Sequence, residues 1–145
     1  IKEDMVVYTG THDNDTTKGW FNSLEKHVKT HVLSVLNLSA KDYDGEDSFD
    51  EADSSCWFDN IDVSDLVVER LIDNAMHSRA MICIIPVQDC LHLDSGARMN
   101  TPGTTTGNWT WQFQWEQIAH QHDRSRMKKM RMRNKDSQRL VEPEE

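Results

Sequence analysis

A chain of 145 residues with 37% apolar content holds one domain at most and a thin core, and its longest apolar run, Met81 to Val87, is far short of the roughly 18 residues that cross a bilayer. The net charge of −9 is local: Asp42 to Asp65 holds 10 acidic residues and no Lys or Arg, leaving 16 basic against 15 acidic elsewhere, so no global field steers a cationic partner. Nothing in the first 30 residues combines a basic flank, an apolar stretch and a small-residue cleavage site, so no secretory signal is expected; the start at Ile1, almost directly on a strand-like segment, reads as a fragment.

Asp4 to Gly10 predicts a short buried strand, because β-branched and aromatic residues run continuously to a glycine. Thr11 to Thr17 is a polar loop. From Thr17 the apolar positions Trp20, Leu24, Val28, Val32 and Val35 or Leu36 recur at three or four residues, the stripe of one helix. Residues 39–55 combine acidic charge, Gly45 and serines without periodicity, the composition of an exposed, disordered insertion. Val63, Val67, Leu71 and Ala75, with Ser64, Val68, Ile72 and Met76, predict a second amphipathic helix over 62–77. Ala80 to Pro86 is apolar at successive positions and needs cover on both faces, as in parallel sheets flanked by helices; Pro86 closes it. The loop from Gln88 to Asn108 carries Gly96, Pro102, Gly103 and Gly107, and loops of this length without structure of their own usually serve a site. A last helix is expected from about Trp115 to Asn134, then a frayed tail from Glu142 to Glu145. This order suits a piece of an α/β fold whose functional loops leave the C-terminal ends of strands.

Cys56, Cys83 and Cys90 leave one thiol unpaired under any disulfide scheme and form no C-x-x-C spacing, so a reducing compartment is expected. Of the N-x-[ST] triplets at Asn14, Asn37 and Asn108, two fall in loops read as functional, where a glycan would block access. Both points favour the cytoplasm, with the plastid as the alternative for a plant or algal source.

His12, Asp13, Asn14 and Asp15 supply an imidazole, two carboxylates and an amide within four residues, enough to hold a sugar, a metal or a phosphate. Taken alone, the same residues also make a hydrogen-bonded turn that caps the next helix through Asp15 or Thr16. A calcium loop fails, because Lys18 and Leu24 stand where an EF-hand needs glycine and glutamate. No second ligand cluster accompanies these acids, so no metal is expected. Trp109, Trp111 and Phe113, spaced by two, would face one way in an extended segment, where aromatic faces suit the C–H faces of sugars and Arg98 and Asn100 could bond hydroxyls. The plainer reading buries the tryptophans in the core. From Arg124 to Lys135 there are 7 basic residues and no acidic ones; a basic helix can grip phosphates, but Met127 and Met130 look like packing contacts. Neither nucleic acid nor a membrane is expected as a partner.

Taken together, Val7-Tyr-Thr-Gly-Thr-His-Asp-Asn-Asp-Thr16 with Gly19 and Trp20, Pro86-Val-Gln-Asp89, and Ala97-Arg-Met-Asn-Thr-Pro-Gly103 with Gly107, Asn108 and Trp109 resemble the 4-alpha-glucanotransferases, also called amylomaltases or disproportionating enzymes. The motifs stand in the family's order, and the likeness runs from about Met5 to Phe113. It implies the C-terminal portion of a (β/α)8 barrel, an α/β fold, with residues 5–10 and 80–86 as the last two barrel strands. It also implies transfer of α-1,4-glucan segments between maltooligosaccharides by a retaining double displacement, without a cofactor. By that resemblance Asp13 is the transition-state stabiliser, and His12, Asn100, Arg98 and Asn14 bind substrate. The family's nucleophile and acid/base carboxylates belong to earlier strands, so the chain is expected to be inactive alone and to need the upstream part of its own barrel. A non-catalytic carbohydrate-binding or interaction fragment is the alternative.

Overall fold

A computed structural model describes residues 3–42, 62–119 and 121–138. Strands β1 (Glu3–Tyr8) and β2 (Ala80–Ile84) pair in parallel, with Val6 opposite Ile82, Val7 opposite Cys83 and Tyr8 opposite Ile84. Both strands stop two residues before the expected ends. Beyond β1, Thr9 turns its hydroxyl to Asp89, and beyond β2 the donorless Pro86 opens the next helical turn.

The expectation of buried strands holds on one side only. Helix α3 (Ser64–Met76) lays Val68, Ile72 and Met76 against Cys83 and Ile85. By the two-residue side-chain alternation of strands, Val6 and Tyr8 share the opposite face with their partners Ile82 and Ile84, and these four are 44–51% exposed. Parallel sheets are ordinarily covered on both faces, so this pair has the cover of half a sheet.

The single helix expected from Thr17 to Leu36 is two helices, α1 (Thr17–Ser23) and α2 (Lys26–Val35). The Ser23 hydroxyl donates to Trp20 O at 2.7 Å in the last turn, and Leu24 and Glu25 are both extended, with ψ of 148° and 153°. Leu24 nevertheless packs on the same cluster as Phe21 and Leu33, so the apolar stripe continues across the break.

Helix α3 falls where the periodicity places it, and Asp62 Oδ1 accepts from Ser64 N at 3.0 Å to start it. It is the central element. Val67 joins Phe21, Leu33, Leu36, Leu38 and Val63 in one cluster, while Val68 and Ile72 belong to the cluster against β2. Each such side chain, fully buried, contributes about 1.5–3 kcal/mol. The acidic stretch opens on a 3-10 turn at Ala40–Asp42, held by Ser39 N and Arg70 on the Asp42 carboxylate; its remainder, 43–55, lies outside the described residues, as do Cys56 and the tail at 142–145.

The loop expected to lack structure contains a helical turn, α4 (Val87–Cys90), and a 3-10 turn at Ser95–Ala97. The final helix is likewise divided into a 3-10 segment, Trp115–Ala119, and α5 (Gln121–Asp136). Met130 packs on the α3 cluster as its spacing suggested. Three of the basic residues of α5 face acids of α3: Arg126 Nη2 lies 2.8 Å from Asp65 Oδ2, Lys129 Nζ lies 3.9 Å from Glu69 Oε1, and Arg133 bonds both Glu69 and Asp73.

Candidate functional site

The loop after β1 is shaped by its own polar side chains. Asn14 Oδ1 accepts from Thr11 N at 2.8 Å and from Thr11 Oγ1 at 2.9 Å, closing a turn with His12 and Asp13 at its tip. Thr16 then caps α1, its hydroxyl accepting from Gly19 N at 3.0 Å. The capping reading is therefore correct for Thr16, while His12 and Asp13 remain outside the cap. Asp15 accepts from Thr16 N at 2.8 Å and from Ser95 Oγ at 2.7 Å, tying this loop to the 3-10 turn at Ser95–Ala97.

Asp13 and Asn100, 87 residues apart in sequence, meet here: Asn100 Nδ2 donates to Asp13 Oδ1 at 2.6 Å, and His12 Nε2 stands 3.3 Å from the same oxygen. Arg98 binds the two main chains together, donating from Nε to Asn100 O and from Nη2 to Asp13 O, both at 2.8 Å. Its guanidinium, expected to bond substrate hydroxyls, thus directs two donors at backbone carbonyls. Asn100 N also donates to His12 O at 3.1 Å. A cleft of about 660 Å³ opens beside these groups, lined among others by Tyr8, His12, Asp13, Asn14, Ile84 and Arg98. Asn100 is not among the residues that line it.

The aromatic series does not run extended. Trp109 has a left-handed backbone, φ 61°, and is 58% exposed, with its ring 5.2 Å from that of His12. Trp109 therefore lies outside the core of this chain, its backbone N donating to Met99 O and its indole beside His12. Trp111 and Phe113 are half-buried, and Phe113 meets Trp115 edge-on.

Two buried polar residues have roles that residue types alone did not reveal. Asp89 is 2% exposed and accepts from Thr9 Oγ1, Thr17 N and Thr17 Oγ1. It lies in the Pro86 to Asp89 motif, which was its only signal. His92 had none. Its ring sits 3.2 Å from Asp65 Oδ2 and 3.1 Å from Glu69 Oε1. Burial acts to lower its pKa, but the two carboxylates outweigh burial and raise it above 6.5. For Asp65 and Glu69 burial acts upward and is outweighed by His92 and neighbouring cations; Asp65 is held well below the usual range and Glu69 at about 2. Burial pushes the Cys90 thiol up to about 11. Among the described residues, no group of three or more His, Cys, Asp or Glu is placed to hold a metal ion, and no helix is long and apolar enough to cross a membrane.

The family model described as 4-alpha-glucanotransferase matches residues 1–119. The chloroplastic/amyloplastic 4-alpha-glucanotransferase of Solanum tuberosum is 39% identical over 111 residues, covering 77% of this chain and 15% of that protein. The Thermus thermophilus 4-alpha-glucanotransferase is 36% identical over 115 residues, 79% of this chain and 19% of that one. Among solved structures, the amylomaltase from Streptococcus agalactiae, in complex with acarbose, is similar in fold at a TM-score of 0.64 and 20% identity, covering 94% of this chain and 22% of its own. The chain spans 15–19% of the length of these two curated relatives. On the family match and the identity to these relatives, the chain belongs to the 4-alpha-glucanotransferase family.

Proposed function

We propose that this chain forms the C-terminal end of a (β/α)8 barrel that transfers α-1,4-glucan segments between maltooligosaccharides, with Asp13 as the carboxylate that stabilises the transition state. The observation that carries this reading is the setting of Asp13. It leaves the C-terminal end of a parallel strand, where barrel enzymes place their catalytic residues, and stands at a cleft with Oδ1 fixed by Asn100 at 2.6 Å. Support for a missing remainder of the barrel comes from the uncovered face of Val6, Tyr8, Ile82 and Ile84, which runs up to the cleft through Tyr8 and Ile84.

The chemistry follows from charge. As a glycosidic bond breaks, positive charge grows on the anomeric carbon and ring oxygen and the ring flattens. With Oδ1 of Asp13 held, Oδ2 is offered to the ring hydroxyls of that distorted sugar, and a preorganised anion binds the cation more strongly than the relaxed substrate. His12 and Asn14, at the same rim, bond the sugar from beside it. The retaining double displacement takes its nucleophile and acid/base carboxylates from earlier strands of the barrel. The odd count of three cysteines without a C-x-x-C spacing supports a reducing compartment, the cytoplasm or a plastid.

In the full-length protein, Asp13→Asn is expected to leave maltooligosaccharide binding within a few-fold and to cut transfer by at least about 10², the scale of losing one preorganised transition-state contact. Maltotriose disproportionation and isothermal titration measure the two. Undiminished turnover removes Asp13 from the mechanism; binding with no turnover by the wild-type protein favours the non-catalytic carbohydrate-binding role.

A further inference from the structure

We infer that Asp89 is a positioning residue that sets the geometry of the Asp13 loop, an inference that rests on the reading of Asp13 above. One carboxylate holds both ends of that loop. Asp89 Oδ2 accepts from Thr9 Oγ1 at 2.9 Å, at the end of β1, and from Thr17 Oγ1 at 2.8 Å, at the start of α1. Asp89 Oδ1 accepts from Thr17 N at 2.9 Å. Thr9 and Thr17 lie four residues before and four after Asp13. The span of the loop is therefore fixed at its base by a residue 72 positions beyond Thr17, carried on the turn that follows β2.

Asp89 borders the cleft but is not placed to touch a sugar: it is 2% exposed, and both oxygens are committed to the two threonines. Those donors are buried or half-buried with it, so removing the carboxylate leaves them without an acceptor and releases the loop ends from each other. Arg98 and Asn100 secure the tip, while Asp89 secures the base. A stabiliser acts through a carboxylate placed within a fraction of an ångström, so a loosened base lowers turnover without changing what the substrate touches.

The test compares Asp89→Ala, Asp89→Asn and Thr9→Val in the full-length protein, with Asp13→Asn as reference and maltotriose as substrate. Asp89→Ala is expected to lower kcat by about 10² with KM within about threefold. Asp89→Asn keeps the shape and can accept from Thr17 N while donating to the threonine hydroxyls, so it is expected to recover to within about tenfold of wild type. Thr9→Val cuts only the strand-side tie and is expected to lower kcat several-fold at unchanged KM. Rates are taken per folded molecule, with circular dichroism fixing the folded fraction, so a loss confined to stability leaves kcat at the wild-type value and overturns the inference. A rise in KM at constant kcat, or an Asp89→Asn as slow as Asp89→Ala, overturns it too. Should Asp89→Ala not fold, Thr9→Val and Asp89→Asn decide. If Asp13→Asn is inactive while Thr9→Val and Asp89→Ala keep wild-type kcat, the positioning role alone fails; if Asp13→Asn is fully active, the assignment of Asp13 fails first.

Discussion

His92 occupies a left-handed backbone, φ 55°, with its side chain 4% exposed, a conformation that costs a non-glycine residue about 1–2 kcal/mol. Carboxylates of α3 on both sides of the ring offset that cost when it is protonated. Arg126 from α5 faces Asp65 and opposes the charge on His92, and Arg133 and Lys129 face Glu69, so the site is a mixed network. Because folding raises the pKa of His92, its contribution is fully present below the unfolded value near 6.5 and is lost as pH rises through the folded value. Glu69 runs the other way. Its pKa is depressed to about 2, so its contribution is present above the unfolded 4.5 and is lost as pH falls toward 2. Stability from this network is therefore greatest between about pH 4.5 and 6.5. His92→Gln is expected to cost about 2 kcal/mol at pH 6, mostly through Glu69 because the more exposed Asp65 is screened, and to flatten the decline as pH rises above 6.5. Urea midpoints across that range measure both effects. Asp13 and Asn100 stand out as candidates in the sequence because they lie in contiguous motifs of telling residue types, but their bond to each other is visible only in the fold. Asp89 and His92 acquire their roles only when distant segments close on them, and no local pattern carries that information.

Between elements, α1 meets the 3-10 turn at Ser95–Ala97 at close range through Gly19. A Cβ on Gly19 would lie 2.2 Å from Ser95 Oγ and 2.7 Å from Ser95 N, so only glycine admits this approach. The contact also carries the Ser95 to Asp15 hydrogen bond between the two functional loops. Gly19→Ala gains at most about 1 kcal/mol of helix propensity and loses about 1–3 kcal/mol to overpacking, so net destabilisation is expected. Chemical denaturation reads the sign. Adding Ser95→Gly is expected to give incomplete relief, because the Ser95 main-chain nitrogen remains in the way. At this scale the sequence shows α3 and the parallel pair well, since their apolar periods are long and unbroken. The break at Leu24 and Glu25 escapes it: neither residue is glycine or proline, and Leu24 keeps the stripe in phase. Nor does the basic run on α5 show in sequence that two of its members, Arg126 and Arg133, are engaged by Asp65, Glu69 and Asp73 once α3 is placed opposite.

Across the whole molecule, the two faces of the β1–β2 pair differ in kind. One packs on α3 through Cys83 and Ile85, although Met81 at its start is 53% exposed; the other presents Val6, Tyr8, Ile82 and Ile84 as a contiguous apolar strip, with no further strand beside it among the described residues. An open strand edge beside an apolar face is a template for association. The 145-residue chain on its own is therefore expected to bind the dye ANS, to elute well above its 16.8 kDa monomer and to turn over no maltotriose. Val6 and Ile82 are directly paired, so placing lysine at both sets two charges on the uncovered face and leaves the α3 packing alone. In the isolated chain Val6→Lys with Ile82→Lys is expected to reduce dye binding and association. In the full-length protein the same face lines the barrel interior on the proposed reading, and the pair forfeits about 3–6 kcal/mol of burial before any charge penalty, so folded yield is expected to collapse. Opposite responses of the two lengths to one substitution pair mark a face that the rest of the protein covers; parallel responses, or a wild-type chain that is monomeric and dark to the dye, mean that nothing upstream rests on it.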